Sequence, residues 1–334
     1  MLFQLPEGLA EAVNPREDLS YEYTLFGKGH TKVLKRSRIR KREYASALLF
    51  LAPWIIGFVV FEIGPLLASG TISFFKWDLI GDPRWAGLAN YEELFTRDAL
   101  FWQSFKVTTI YSLSSIPLRL ALALLVALLM NQKVPGIAAF RTIFYMPSVV
   151  SGVVMAMIWF WVFNSRFGIL NHFLGLMGID GPNWLMDTKW VMPAFVVMSL
   201  WSIGAPMITF LAGLQGVPQE LYDAASVDGA GRWRVFWSVT WPLLTPVVFF
   251  NLVTGVISSF QTFTASYVMT EGGPANSTLF YVLYLYRNAF KVFRMGKACA
   301  MAWILFVLVL VLTTLMFKSS PLWVFYETEV EGRR

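Results

Sequence analysis

The stretch Glu220-Leu221-Tyr222-Asp223-Ala224-Ala225-Ser226-Val227-Asp228-Gly229-Ala230 interrupts two hydrophobic runs, and its pattern continues through Phe236 to Pro242 and Pro246. A loop that only connects two membrane helices needs neither this density of small residues nor an Asp-Gly step. Small side chains let a rigid body approach closely. Gly229 can adopt backbone angles that other residues avoid. The flanking stretches have helical periodicity, so the spacing predicts a short helix, a sharp turn and a second helix. Such an element is shaped to press into a groove on another protein.

Around this stretch the composition is that of a membrane protein. The chain is 56% hydrophobic and 14% charged, with a mean hydropathy of +0.56, whereas soluble domains carry about 25% charged residues. A bilayer core takes about 20 apolar residues per helix. Six candidate spans fall near Ala45–Phe75, Trp102–Met130, Phe140–Phe163, Val191–Leu214, Leu243–Met269 and Ala298–Phe317. As one helix the first would be about 46 Å long. It must therefore tilt, bend or begin below the membrane, with Pro53 and Pro65 as the expected bending points.

Basic residues set the orientation. Eight Lys or Arg lie between Lys28 and Arg42, directly before the first span, which places this tail in the cytoplasm. An even number of spans returns the C-terminus, with Lys318, Arg333 and Arg334, to the same side. Arg141, Arg232 and Arg234 then fall inside, as does the Asp223–Gly229 loop. Arg287, Lys291, Arg294 and Lys297 fall outside and read as an amphipathic piece at the outer surface. The expected organisation is a basic cytoplasmic tail (1–44), an all-α six-helix membrane domain (45–318, its cytoplasmic loop at about 215–242) and a cytoplasmic C-terminal tail (319–334). The pI of about 9.4 does not point to nucleic acid, because the basic run is juxtamembrane and lacks aromatic interleaving. It reads as a topology signal attracted to anionic lipid. No cleavable signal peptide is expected, since the first apolar stretch starts late and runs long.

The loop carries a resemblance. Asp223, Ala224, Ala225, Asp228, Gly229, Ala230, Phe236, Pro242 and Pro246 match the EAA loop of permease subunits of bacterial ABC importers, with Asp223 where that family usually has Glu. Gly87-Leu88-Ala89-Asn90-Tyr91, Thr270-Glu271-Gly272-Gly273-Pro274 and Tyr286-Arg287-Asn288-Ala289-Phe290 resemble the maltose-type carbohydrate-uptake branch. The likeness covers roughly Ala45 to Lys318. It implies a maltose-permease-like fold in a bacterial cytoplasmic (inner) membrane. It also implies a heterodimer with a second permease, an ATPase dimer in the cytoplasm and an extracytoplasmic solute-binding protein. Asp223, Ala224, Ala225, Asp228, Gly229, Ala230 and Arg232 would then dock the ATPase, and the solute would be a sugar or oligosaccharide.

Little enzymatic chemistry is readable. Cys299 is the single cysteine, so no internal disulfide is possible, and His30 and His172 fall in different predicted compartments. No Cys/His/carboxylate cluster has metal-ligand spacing. No phosphate-binding Gly-x-x-x-x-Gly-Lys-Ser/Thr loop occurs. ATP and Mg2+ are therefore expected on a separate ATPase chain, with no cofactor bound here. No Ser/His/Asp set is plausible on one face of the membrane, which argues against a hydrolase or transferase.

Residues that could meet a solute cluster in the fifth span. Asn251, Thr254 or Gly255, Ser258 and Thr262 recur at three- and four-residue spacing, so they share a helix face, and Gln261 adds to the polar content. The stripe reads either as the lining of a path for a hydroxylated solute or as interhelical packing. Aromatic rings, with 14 Trp in the chain, could cover sugar faces or sit at membrane interfaces. Trp201 is the best solute candidate, because Ser199, Ser202, Gly204 and Pro206 around it suggest a broken, cavity-lining helix. Glu62 and Arg119 are charges inside spans, where function is the default expectation. Their depths differ by roughly 9 Å, within reach of pairing, although each could instead face a partner subunit or snorkel. The reading is a sugar-importer permease. Alternatives are ABC uptake of a glycerol-phosphate-like or other polar solute, an ion-coupled secondary carrier, and an accessory membrane protein without a path.

Overall fold

The computed structural model describes residues 35–132 and 134–325. Most of the two tails, His30 and much of the basic run from Lys28 lie outside the described residues. The chain divides into two compact units, Met1–Glu62 and Ile63–Arg334.

In the first unit, α1 (Lys35–Phe58) contains Pro53 and leads into a π-helical turn at Val59–Ile63. That turn precedes Pro65, which sits in the first turn of α2 (Gly64–Ile72). A proline has no N–H, and its ring crowds the carbonyl four residues earlier, here that of Phe61. A widened turn relieves that clash. Pro65 thus marks a departure from α geometry, while Pro53 stays inside a continuous helix. Phe50 and Phe61 are 84% and 78% exposed, as suits side chains that meet lipid or another subunit.

The second unit begins with α2 and a short antiparallel hairpin, β1 (Phe75–Lys76) with β2 (Arg84–Trp85), Phe75 facing Trp85. The first span therefore ends at Ile72 rather than Phe75. Next come α3 (Ala89–Thr96) and α4 (Ala99–Met130). Asp98 caps α4 by accepting the Phe101 N–H at 3.0 Å, satisfying one of the free donors at a helix start. At 32 residues α4 is about 48 Å long and is the central post of the fold, packing on α8, α9, α12 and α14.

The third hydrophobic run is not one helix. It divides into α5 (Ile137–Tyr145), a tight turn at Met146–Val149, and α6 (Gly152–Val162), with a bend of 101° between the two halves. Pro147 starts the tight turn, Val150 and Ser151 are extended, and Ser151 caps α6 by accepting the Val154 N–H. This corrects the continuous span expected over Phe140–Phe163. After α7 (Ile169–Leu176) the fourth run is also broken, into α8 (Val191–Leu200) and α9 (Gly204–Gly216), bent by 44°. Gly204 sits where a Cβ would lie only 2.8 Å from the Phe144 carbonyl oxygen, so the N-terminus of α9 approaches α5 as no larger residue could.

The chain continues through α10 (Gln219–Val227), α11 (Arg232–Val235), a π turn at Phe236–Thr240, and α12 (Trp241–Phe260). Then follow α13 (Thr264–Met269), α14 (Tyr281–Tyr286), a π turn at Arg287–Lys291, and α15 (Met295–Ser319). Among the described residues, four helical stretches are long and apolar enough to cross a membrane, and six if each bent pair is one span.

Two apolar cores form at opposite ends of α4. One gathers Phe101, Tyr111, Phe195, Phe280 and Tyr281. The other gathers Ala123, Ala127, Met207, Phe210 and Leu244. Between them Ile116, Arg119 and Leu120 of α4 border a cavity.

Candidate functional site

The helix, turn and helix read from Glu220 onward are α10, a turn at Asp228–Gly231 and α11. Asp228 is the C-cap of α10, and Gly229 follows in the left-handed conformation at φ +71°. The Ala230 N–H donates to the Ala225 carbonyl at 3.0 Å and the Gly229 N–H to the Ser226 carbonyl at 3.1 Å. This pair of bonds is a Schellman closure, which satisfies the last carbonyls of the helix and fixes its exit direction. Asp223 is exposed and accepts from the Gln219 amide at 3.1 Å. Ala224 is exposed, Ala225 half-buried, and Arg232 opens α11, also exposed. Val227 is 89% and Trp233 74% exposed. A rigid element with bare apolar groups is built to be covered by something else. On its inner side, the Tyr222 and Thr240 hydroxyls lie 3.2 Å apart, tying α10 to the start of α12.

A cavity of about 330 Å³ opens between α4, α9 and α12, bordered by Arg119, Thr209, Asn251, Thr254 and Ser258. Asn251 is buried. Its side-chain oxygen accepts from the Thr209 hydroxyl at 2.9 Å, and its amide donates to the Val247 carbonyl at 3.0 Å. It therefore joins α12 to α9 as well as edging the cavity. Ser258 donates to the Gly255 carbonyl at 3.1 Å. Arg119 reaches only the Ser202 carbonyl, at 3.4 Å, and its Nε is buried without an acceptor among the described residues.

The remaining sequence candidates separate. Helix α12 ends at Phe260, so Gln261 and Thr262 no longer follow its periodicity. Gln261 borders a different cavity, with Val282 and Leu305, and does not join the face of Asn251 and Ser258. Thr262 lies near the buried Tyr111 hydroxyl, beside Ser115 and Ser199. Trp201 stands at the kink between α8 and α9, edge-on to Trp159 with ring centres 5.8 Å apart, and is not among the side chains bordering the cavity of Arg119. Glu62 lies in the π turn before α2 and is exposed.

Two features escaped the sequence reading. Ser104, Thr108, Ser112 and Ser115 make a buried hydroxyl line along α4. The Thr108 hydroxyl accepts the Tyr281 N–H at 2.9 Å and so seats the start of α14. Their recurrence at helical spacing was the available signal. The second is a charge cluster where α3, α4 and α15 meet. Lys297 donates to Glu93 at 2.9 Å and contacts Asp98, and Arg294 holds Glu93 through two bonds. The Tyr284 hydroxyl donates to Asp98 at 2.6 Å. Hydrogen bonds from Arg294, then Lys297, outweigh partial burial and hold the Glu93 carboxyl down to about 2. Burial works to raise Asp98, but the bonds from Lys297 and Tyr284 overcome it and leave the carboxyl below its ordinary value. Lys297 is only 4% exposed. This corrects the amphipathic surface piece expected over Arg287–Lys297 at its end: Lys297 is buried against acidic partners, and the half-exposed Arg294 reaches Glu93. Among the described residues no grouping of three or more His, Cys, Asp or Glu could hold a metal ion.

Comparison with known proteins agrees with this architecture. Residues 119–320 match the family described as binding-protein-dependent transport system inner membrane component. The chain is 43% identical over 302 residues to the probable ABC transporter permease protein YesP of Bacillus subtilis, covering 89% of this chain and 97% of that one. It is 32% identical over 285 residues to the trehalose/maltose transport system permease protein MalF of Thermococcus litoralis, covering 84% and 96%. Its fold matches a chain in the crystal structure of a bacterial ABC transporter that imports the acidic polysaccharide alginate, with a TM-score of 0.76 at 24% identity, covering 86% and 98%. With the exposed, Gly229-closed turn between α10 and α11 and these matches along most of its length, the chain belongs to the binding-protein-dependent transport system inner membrane component family and is an ABC importer permease subunit.

Proposed function

We propose that this chain forms half of the translocation path of an ATP-driven importer for a sugar or oligosaccharide. It pairs with a second, different permease, receives solute from an extracytoplasmic binding protein, and docks a cytoplasmic ATPase through α10 and α11. ATP and Mg2+ are bound and used on that ATPase. The observation that carries the reading is the Schellman-closed, exposed α10 turn, fused through Trp233–Thr240 to a helix that borders an intramembrane cavity. A docking surface and a path wall on one continuous helical stretch are what a coupled permease requires. Sugar uptake is supported by the trehalose/maltose relative and by the polar groups of Thr209, Asn251, Thr254 and Ser258 at the cavity. Arg119 stands beside the path as its intramembrane charge.

The reading is tested by reconstituting this chain with its second permease, ATPase and binding protein in proteoliposomes and measuring ATP hydrolysis against a panel of neutral and acidic sugars. Stimulation by at least one sugar, with its accumulation inside, is the expected result. A complex that assembles and hydrolyses ATP but responds to no sugar would overturn it.

A further inference from the structure

The cavity between α4, α9 and α12 has a single charged side chain at its border, Arg119. Guanidinium presents five N–H donors in a fork. Here one donor makes a long bond to the Ser202 carbonyl and the Nε–H is buried with no acceptor among the described residues. No Asp or Glu borders the cavity. Apolar cores lie toward both ends of α4 on either side of this half-buried charge. A donor buried without an acceptor is unfavourable, and the apolar side chains beside a half-buried cation strengthen its attraction for any anion that arrives.

We propose that this cavity is an oxyanion station on the solute path, and that the imported solute is a hydroxylated molecule bearing a carboxylate or phosphate. The inference rests on the permease reading above and deepens it by naming the solute class. A planar fork matches the two oxygens of a carboxylate or phosphate with parallel, charge-assisted bonds. A neutral hydroxyl offers the fork one uncharged acceptor. Thr254 and Ser258 donate their hydroxyl hydrogens to their own helix, which leaves their oxygens as acceptors for the solute's hydroxyls. The volume of about 330 Å³ is at the small end of ligand pockets, about 300–1,000 Å³. It fits the acidic group and the ring or polyol that carries it, not a long oligosaccharide.

The test uses the assembled importer, this chain with its second permease and ATPase, in detergent without nucleotide. Calorimetry compares three probes: a disaccharide ending in a uronic acid, its carboxyl-reduced neutral counterpart, and glycerol phosphate. The wild type is expected to bind one oxyanionic probe at least about tenfold tighter than the neutral sugar, as bonds to a charged group allow. Which acid binds distinguishes carboxylate from phosphate. Arg119→Gln should abolish the preference. Ala205→Asp supplies a carboxylate at the cavity border and should abolish it too, without removing the arginine, so a failure of Arg119→Gln to assemble does not close the question. Equal binding of acid and neutral sugar by the wild type overturns the proposal, as does a preference that survives both substitutions, or no binding of any probe. Rescue of Arg119→Gln assembly by Glu62→Gln also overturns it, because Arg119 would then be holding Glu62. In the uptake assay, stimulation by neutral sugars alone sinks this proposal and leaves the importer reading intact. Silence to every sugar sinks the sugar reading.

Discussion

Replacing Gly229 by valine separates conformation from contact at the proposed docking element. Gly229 is left-handed at φ +71°, and no atom lies within 4 Å of where its Cβ would be. The penalty is therefore conformational rather than steric. An L-residue held left-handed costs roughly 1–2 kcal/mol, and β-branching makes the position a genuine outlier. If the chain escapes by leaving that conformation, it gives up the bonds from Ala230 to Ala225 and from Gly229 to Ser226. Two backbone bonds at about 0.5–1.5 kcal/mol each total about 1–3 kcal/mol. Both routes come to about 2 kcal/mol, which shifts the population of the closed turn by about thirtyfold. That unseats α10 without threatening insertion of the membrane helices. In proteoliposomes, Gly229→Val should hydrolyse ATP with little coupled uptake. Gly229→Asn should behave close to wild type, since asparagine tolerates this conformation, and Gly229→Ala should fall between. If valine transports normally, or asparagine is as damaging as valine, the reasoning from backbone geometry fails.

Other expectations concern the path and the charges. In a Cys299→Ser background, Ser258→Cys should react with small polar thiol reagents and be protected by transported solute, whereas Gln261→Cys, at a separate cavity, should show no protection. Inertness at Ser258 in both nucleotide states would assign that face to packing. Lys297→Met leaves Asp98, itself 7% exposed, beside Glu93 without its shared cation, and breaking a buried pair costs about 3–5 kcal/mol. A large fall in Tm is expected, and an unchanged Tm would show that the cluster contributes nothing. The folded Glu93 carboxyl, near 2 against an ordinary 4.5, adds stability that is present above about pH 4.5 and lost as pH falls toward 2. Glu93→Gln should remove that acid dependence from the melting profile, and a wild-type-like profile would contradict the assignment. In a Glu62→Gln, Arg119→Gln cycle the losses of assembled complex should add, because Arg119 faces the cavity. Recovery in the double variant would show that the two charges pair.

Six apolar runs were readable because each spans at least about 20 residues, and a bilayer leaves little choice of structure. The bend within Ile137–Val162 was hidden because apolar content summed along a run is blind to direction. Pro147 and the Ser151 cap were the local signs. Thr262 was put on the face of Asn251 and Ser258 by carrying the helical period past Phe260, where α12 ends. The turn between α10 and α11 was legible because its closure is local: Asp228, Gly229 and Ala230 bond back within five residues. The charge cluster was not, because Arg294 and Glu93 stand 201 residues apart in sequence. A cation at the start of an apolar helix looks the same whether it faces lipid headgroups or a buried carboxylate. Arg119 was visible as an anomalous charge, but the absence of an acid beside it depends on which faces of α4, α9 and α12 meet.

The docking turn and the cavity share one mechanical member. Tyr222 on α10 touches Thr240, where the π turn passes into α12. Asn251 lies eleven residues further along, about 16 Å up a helix, and takes its bond from Thr209 on α9. A push on α10 therefore enters α12 twice, along the chain through α11 and across the Tyr222–Thr240 contact. A helix transmits an axial shift nearly undiminished, since its length is set by hydrogen bonds that resist stretching. Beyond Thr245, whose hydroxyl accepts the Phe325 N–H at 2.9 Å, such a shift meets α9 through the bond of Asn251 with Thr209, at the edge of the cavity that Arg119 borders. Movement there changes the separation of α12 from α9, and with it the width of the opening through which Arg119 is reached. On the proposed reading, ATP-driven displacement of the docking element and the affinity of the cavity for an anionic solute are consequences of the same helix moving.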